Sequence, residues 1–525
     1  MNLKFSAPNV FILIVLVGVF AMAARNATDP DLWWHLKTGQ YILEQGSVPH
    51  ADPFSYTRAG QPWVAHEWLT EVLLYEIERL MGWGGLIVTF AAITCAAFFL
   101  LYLRCGKTSY LAGIATLAAA WATIPVWGVR PQVVSLLLTS LWLLILERSD
   151  RNARLLWCTV PLMLLWVNLH AGFAMGLALS ALFLAGNWLE RTPEAWQHSS
   201  PVRLGLFVFI ADLLVVPLNP NGVRMFSYPL ETLRSPVMQR YIAEWASPNF
   251  HRVEYFPFLL IVLATFAQLS GRKSRARARD LILLVTGLYL GLCSIRLTPL
   301  FILVAVPFLA RQTPDWPVKF SRQRITPPRA VFHTAITLGM ILFAAIHTRQ
   351  VIQRQPQAEI EHFPAGAVAY LQAHSSLPSE SSDLSSGRVF NHYDWGGYLI
   401  WRLYPGTQVF IDGRADVYGT QLFEEFADTY QFKDGWQRIL QEFKVKTILV
   451  PRESALATGL RDSGDWTVSY EDSQAIILTK RPDSLRAKRP PRPRSGKAIA
   501  SARIPKASLV TVDMQEITVC KKLHL

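Results

Sequence analysis

Residues 109–146 read SYLAGIATLAAAWATIPVWGVRPQVVSLLLTSLWLLIL: thirty-eight positions, nearly all apolar, with one polar interruption at Trp127-Gly128-Val129-Arg130-Pro131. A bilayer-spanning helix needs about 20 apolar residues, so this stretch is too long for one crossing and short for two. Basic residues border it on both sides, Arg104 and Lys107 before it, Arg148, Arg151 and Arg154 after it. Basic loops stay cytoplasmic, so both flanks lie on one side and the stretch is a helical hairpin with its apex outside. Leu155–Leu189 and Asp280–Ala310 repeat the pattern, broken at Asn168-Leu169-His170-Ala171-Gly172 and at Ile295-Arg296-Leu297-Thr298-Pro299.

Single apolar runs at Pro8–Ala24, Gly84–Leu103, Leu204–Leu218, Tyr255–Leu269 and Val331–His347 complete the set. The first reads as a retained anchor rather than a cleaved signal peptide, because ten further spans already commit the chain to the membrane. The expected fold class is an α-helical polytopic membrane protein of about 11 spans with a C-terminal extracytoplasmic α/β domain. The odd count puts the N-terminus in the cytoplasm. Expected boundaries are a transmembrane domain at 1–350 with a long first outer loop at 25–83, an α/β domain at 355–480, and a basic Pro/Arg-rich disordered tail at 481–525.

Composition agrees. The 525 residues are 51% hydrophobic and only 17% charged, against about a quarter charged in soluble proteins. The net charge of +13 is no nucleic-acid signal: the tail holds +8 of it and short loops hold most of the rest. No cysteine falls in the α/β domain, so no disulfide framework is implied.

Short hairpin arms sink their apices below the outer surface, so Arg130, His170 and Arg296 are expected to ring a polar crevice. Ionisable groups at that depth are costly unless they face water or a partner. Few carboxylates accompany either arginine in the sequence, which makes a phosphate an attractive counter-ion for Arg130 and Arg296.

The first outer loop carries Asp31, then Leu32-Trp33-Trp34-His35-Leu36, an amphipathic helix running to Leu43. Asp31 reads either as its N-cap or as a general base or metal ligand. A second cluster, Trp63-Val64-Ala65-His66-Glu67-Trp68, opens the stretch that leads into the second span. From Phe363 to Lys480 helical and strand patterns alternate, giving a small α/β domain around a largely parallel sheet. Asn391-His392-Tyr393-Asp394-Trp395-Gly396-Gly397 follows its first strand, and reads as a binding turn or a packing turn.

The run Asp31, Tyr41, Gly46, with intervals of ten and fifteen residues, resembles the first loop of the GT-C glycosyltransferase superfamily: oligosaccharyltransferase catalytic subunits, and bacterial aminoarabinose transferases and their relatives. Glu67 matches the latter's second acidic residue. Tyr393-Asp394-Trp395-Gly396 resembles the oligosaccharyltransferase Trp-Trp-Asp-Tyr-Gly motif, with swapped aromatics and an extra Gly397. The protein O-mannosyltransferase Asp-Glu pair is absent, Asp31 being followed by Leu32.

The resemblance implies a glycosyltransferase using a polyprenyl-phosphate-linked sugar donor at an outer-facing site in the bacterial inner membrane, among membrane lipids, with no nucleic acid involved and the acceptor open. Asp31 and Glu67 are the expected catalytic carboxylates and the pair to hold a divalent metal, if one is used. His35, His66, Arg130, His170, Arg296, Tyr393, Asp394 and Trp395 are the expected substrate-binding residues. A transporter or flippase of a lipid-linked or anionic substrate, or a non-catalytic scaffold, is the alternative. An enzyme gathers Asp31, Glu67, Arg130, His170 and Arg296 at one cavity, and a scaffold scatters them.

Overall fold

The structure, a computed structural model, describes residues 7–106, 109–190, 200–271, 276–313, 327–375 and 387–481. The basic tail, the Ser-rich segment 376–386 and several loop arginines and lysines lie outside the described residues. The chain divides into two compact units. The first comprises residues up to Pro53, Gly60–Ser235 and Glu244–His362; the second Phe54–Ala59, Pro236–Ala243 and the chain from Phe363 on.

The first unit is helical. Each hairpin is two helices, Ser109–Thr123 with Gln132–Ser149, Thr159–Leu169 with Phe173–Leu189, and Ala278–Cys293 with Thr298–Gln312. The breaks fall at the polar interruptions, where the backbone turns extended: Trp127 (φ −86°, ψ 151°), His170 (φ −169°, ψ 144°) and Ser294 (φ −151°, ψ 131°). Pro131 and Pro299 sit at or beside the following N-termini, where a missing N–H costs no helical bond. Among the described residues five helices are long and apolar enough to cross a membrane, Gln132–Ser149 one of them, and shorter apolar helices accompany them.

Helix Leu32–Gln45 forms as its pattern predicts, and Gly46 at φ 65° ends it. It lies against helix Trp68–Cys105, and Gly39 sets the distance: a Cβ there would meet the Glu71 carbonyl oxygen at 2.1 Å. Trp68–Cys105 joins the amphipathic approach and the second span, with a kink at Gly82 (φ 60°) just before the expected start of the span. The last helix, Pro327–His362, runs beyond the apolar limit at His347 into polar sequence.

The second unit holds a five-stranded sheet: β1 (Arg388–Asn391), β2 (Gln408–Val409), β3 (Thr447–Pro451), β4 (Trp466–Glu471) and β5 (Ala475–Lys480), in the order β2-β1-β3-β5-β4. β1 pairs in parallel with β2 and β3, while β5 is antiparallel to both β3 and β4. The sheet is mixed, not largely parallel. Only Asp472 to Gln474 separate β4 from β5, and a link that short permits only a hairpin. Asp472 Oδ1 clamps the turn, accepting N–H bonds from Gln474 (2.8 Å) and Ala475 (2.7 Å).

Residues 54–59, from the first loop, extend this sheet beyond β2. Ser55 bridges Val409, the Tyr56 N–H donates to Val409 (3.1 Å), and Thr57 Oγ1 donates to the Phe410 carbonyl (2.6 Å). Ile448, Leu449, Ile476 and Ile477 are fully buried core, and helix Ala415–Tyr430, which the sequence pattern did not announce, sets Phe426 5.3 Å from Phe390 of β1.

Candidate functional site

Asp31 stands at the N-terminus of helix Leu32–Gln45, yet its side chain makes no capping bond. Its Oδ1 instead accepts from the Trp34 indole N–H at 3.1 Å, and its own backbone N–H donates to Asp29 Oδ1 at 2.9 Å. The capping alternative is thereby removed. Burial, then the charge of Asp29, raise the Asp31 carboxyl well above the usual carboxylate range, against the pull of Arg130. A base poised nearer neutrality is suited to proton transfer.

Arg130, at the first hairpin apex, is not short of carboxylates. Its Nε lies 2.9 Å from Asp29 Oδ2, and both terminal nitrogens engage the Glu244 carboxylate. Burial opposes its charge, but Asp29 and Glu244 more than offset that, raising it above the ordinary arginine value. The premise of an apex arginine waiting for an anion therefore fails at Arg130. Glu244 supplies what sequence reasoning missed; it sits beside Trp245, ahead of helix Phe256–Ser270. Ser294 Oγ donates to the Glu244 carbonyl (3.0 Å) and the Ile295 N–H to Ala246 (2.9 Å), which seats that loop on the third apex. Arg296 lies 4.0 Å from Glu244 Oε2 and over the Trp245 ring at 5.6 Å, with about a quarter of its side chain exposed. It is the more available guanidinium.

Around Glu67 a second group forms. His66 Nε2 is 2.9 Å from Oε1, His170 Nε2 3.3 Å from Oε1, and His35 Nε2 3.5 Å from Oε2. His35 Nδ1 reaches Glu71 Oε1 at 3.2 Å, one helical turn after Glu67, a partner legible in the i, i+4 spacing but not assigned. Burial pushes His35 down to about 4 and His170 to about 3, in both cases against Glu67, so both rings are neutral near pH 7. The Gly172 N–H donates to His170 Nδ1 (2.9 Å), so the ring proton is on Nε2, facing Glu67. Ser135 Oγ, 2.7 Å from the same Nδ1, accepts from the Trp166 indole (2.8 Å) and fixes the ring further. A Cβ on Gly172 would meet Ser135 Oγ at 2.2 Å, so only glycine permits this approach. Burial acts to raise Glu67, but His66 above all, through its charge and its hydrogen bond, outweighs it and holds the carboxylate below its usual range.

The two groups share helix Leu32–Gln45, which carries Asp31 into one and His35 into the other. Asp31 and Glu67 themselves keep separate partners. Among the described residues no group of three or more His, Cys, Asp or Glu side chains is placed to hold a metal ion.

Tyr393, Asp394 and Trp395 belong to the second unit, as one turn of 3-10 helix after β1. Tyr393 donates its hydroxyl to the Gly413 carbonyl (3.2 Å), Asp394 lies 3.8 Å from His392 Nε2, and Trp395 is buried.

No family model matches the chain, and no curated protein matches it. Solved structures do, at low identity. The apo oligosaccharyltransferase of Archaeoglobus fulgidus is similar with a TM-score of 0.52 at 11% identity, over 86% of this chain and 70% of that one. ArnT from Cupriavidus metallidurans, solved bound to undecaprenyl phosphate, gives 0.50 at 13%, over 91% and 99%. Arabinofuranosyltransferase AftD from Mycobacteria gives 0.50 at 14%, over 92% of this chain but 40% of that one. The fold is that of the GT-C glycosyltransferases.

Proposed function

We propose that this chain is a membrane glycosyltransferase that moves a sugar from a polyprenyl-phosphate-linked donor to an outer-leaflet or periplasmic acceptor. The reading includes eleven crossings, a cytoplasmic N-terminus, an extracytoplasmic C-terminal domain and a place in the bacterial inner membrane. The likeness to ArnT, solved with undecaprenyl phosphate, supports the donor class.

The observation that carries the reading is Asp31: released from capping, raised toward neutrality, and within the electrostatic reach of Arg130. In the proposed reaction an acceptor hydroxyl oxygen bonds to the anomeric carbon as its proton passes to Asp31. The bond from that carbon to the phosphate oxygen breaks, and the electron pair leaves with the polyprenyl phosphate. Arg296 neutralises the departing charge, and Arg130 holds Asp29 and Glu244 in place around it. Glu67, fixed by three histidines, positions the acceptor hydroxyl. The two groups, joined by helix Leu32–Gln45 and with Arg296 within electrostatic reach of His35 and His170, support an enzyme over a scaffold.

The test is a comparison of glycolipids and glycoproteins from cells carrying wild type, Asp31→Asn, or no gene. A glycosylated species present only with wild type supports the reading, and identical profiles in all three would falsify it.

A further inference from the structure

Helix Thr159–Leu169 has His170 at one end and a cavity of about 280 Å³ at the other, roughly 16 Å away at 1.5 Å per residue. The cavity has acidic groups at its mouth and floor: Asp150 and Glu190, both exposed, and Asp212, 1% exposed within the apolar helix Ser200–Val215. Its walls are apolar at Leu156 and Phe183.

Asp212 is the anomaly. Its described contacts are with one hydroxyl, Thr159 Oγ1, 3.0 Å from each carboxylate oxygen. That hydroxyl has a single proton and lies closer, at 2.7 Å, to the Leu156 carbonyl. Among the described residues Asp212 has no ion pair. The nearby guanidinium of Arg279 is already committed, with two nitrogens on Asp150 (2.8 and 2.9 Å) and a contact to Asn187. A carboxylate carried into an apolar bundle without a cation is expensive, and such residues mark sites.

We propose that the cavity binds a primary ammonium group, held by Asp212 at its floor and Glu190 at its mouth. An ammonium ion has three N–H donors, which supply what a carboxylate with one contested hydroxyl lacks. Among the described residues no three metal-ligating side chains are placed together. The apolar walls suit a short methylene stem. Such a group reaches the site from solution as a small amine, or from the bilayer as an aminolipid headgroup.

The test uses the full-length protein in phosphatidylcholine nanodiscs, whose trimethylammonium headgroup has no N–H. In one arm ethanolamine is added in solution; in the other phosphatidylethanolamine replaces part of the lipid. A saturable rise of about 3 °C in the thermal midpoint is expected in at least one arm. A response to ethanolamine assigns a soluble amine, and a response to the lipid alone assigns a headgroup. Asp212→Asn abolishes the rise, and Glu190→Gln lowers apparent affinity by about threefold. No rise in wild type, an equal rise in Asp212→Asn, or the same rise with potassium chloride at matched ionic strength overturns the proposal. If Asp212→Asn gives no folded protein, the exposed Glu190→Gln decides, and unchanged affinity there overturns it.

Discussion

At the scale of single residues, Asp31 makes the sharpest prediction. Asp31→Asn keeps the shape and removes the base, so transfer falls by about 10² to 10⁴ while expression is unchanged. Full activity in an in vitro transfer assay would end the catalytic assignment. The raised carboxyl also sets a pH dependence. A base works only when deprotonated, so the acid limb of the rate profile lies above the range of an ordinary aspartate. Stability moves the opposite way: a carboxyl raised in the fold stabilises it below its unfolded value and loses that contribution as pH rises through the folded value. Asp31→Asn is therefore expected to melt higher than wild type at pH 8, with the gap closing in acid; a gap that widens in acid contradicts the shift. Arg296→Lys keeps the charge and loses the fork, so binding of a polyprenyl-phosphate analogue weakens relative to wild type. Equal binding in wild type and Arg296→Lys moves the phosphate site elsewhere. Arg130, His170 and Arg296 were legible because each stands at a break in apolar sequence, and Asp31 and Glu67 because the first loop resembles that of the GT-C superfamily. Asp29, Glu71 and Glu244 were not singled out: an acidic residue in a polar loop looks ordinary until its partner is placed beside it.

Among the elements, the hairpin breaks were readable because an interruption flanked by apolar runs has no alternative to a turn. The β4–β5 hairpin was readable in the same way, from a link too short for a crossover, and the expectation of a largely parallel sheet overlooked it. Helix Ala415–Tyr430 escaped because Gly419, at φ 70°, interrupts its pattern after one turn. The contact at Gly39 offers a test of packing. A methyl group there must push against the Glu71 backbone at 2.1 Å, so Gly39→Ala forces the two helices apart and costs about 1–3 kcal/mol, visible as a lowered thermal midpoint. An unchanged midpoint and unchanged activity would show that the pair yields freely. Because Glu71 contacts His35, activity should fall with stability at this position.

For the whole molecule, orientation is the open quantity with the most direct readout. A reporter fused after Lys480 is expected outside the cell membrane and one at Arg275 inside, since basic loops flank every hairpin. A cytoplasmic reporter at Lys480 removes both the span count and the side on which donor and acceptor meet. The two compact units were only partly visible in sequence, because the second takes in Phe54–Ala59 and Pro236–Ala243. No local pattern of six residues reveals that residues 54–59 extend a distant sheet. That arrangement has a consequence in time. The strand-like piece at residues 54–59 leaves the ribosome some 350 residues before Val409, which it pairs with. At about 5–20 residues per second it waits roughly 20 to 70 seconds with its hydrogen-bonding edge open. Every newly made copy thus carries an unpaired edge through most of its synthesis, a window in which chaperones, or a neighbouring nascent chain, reach it first.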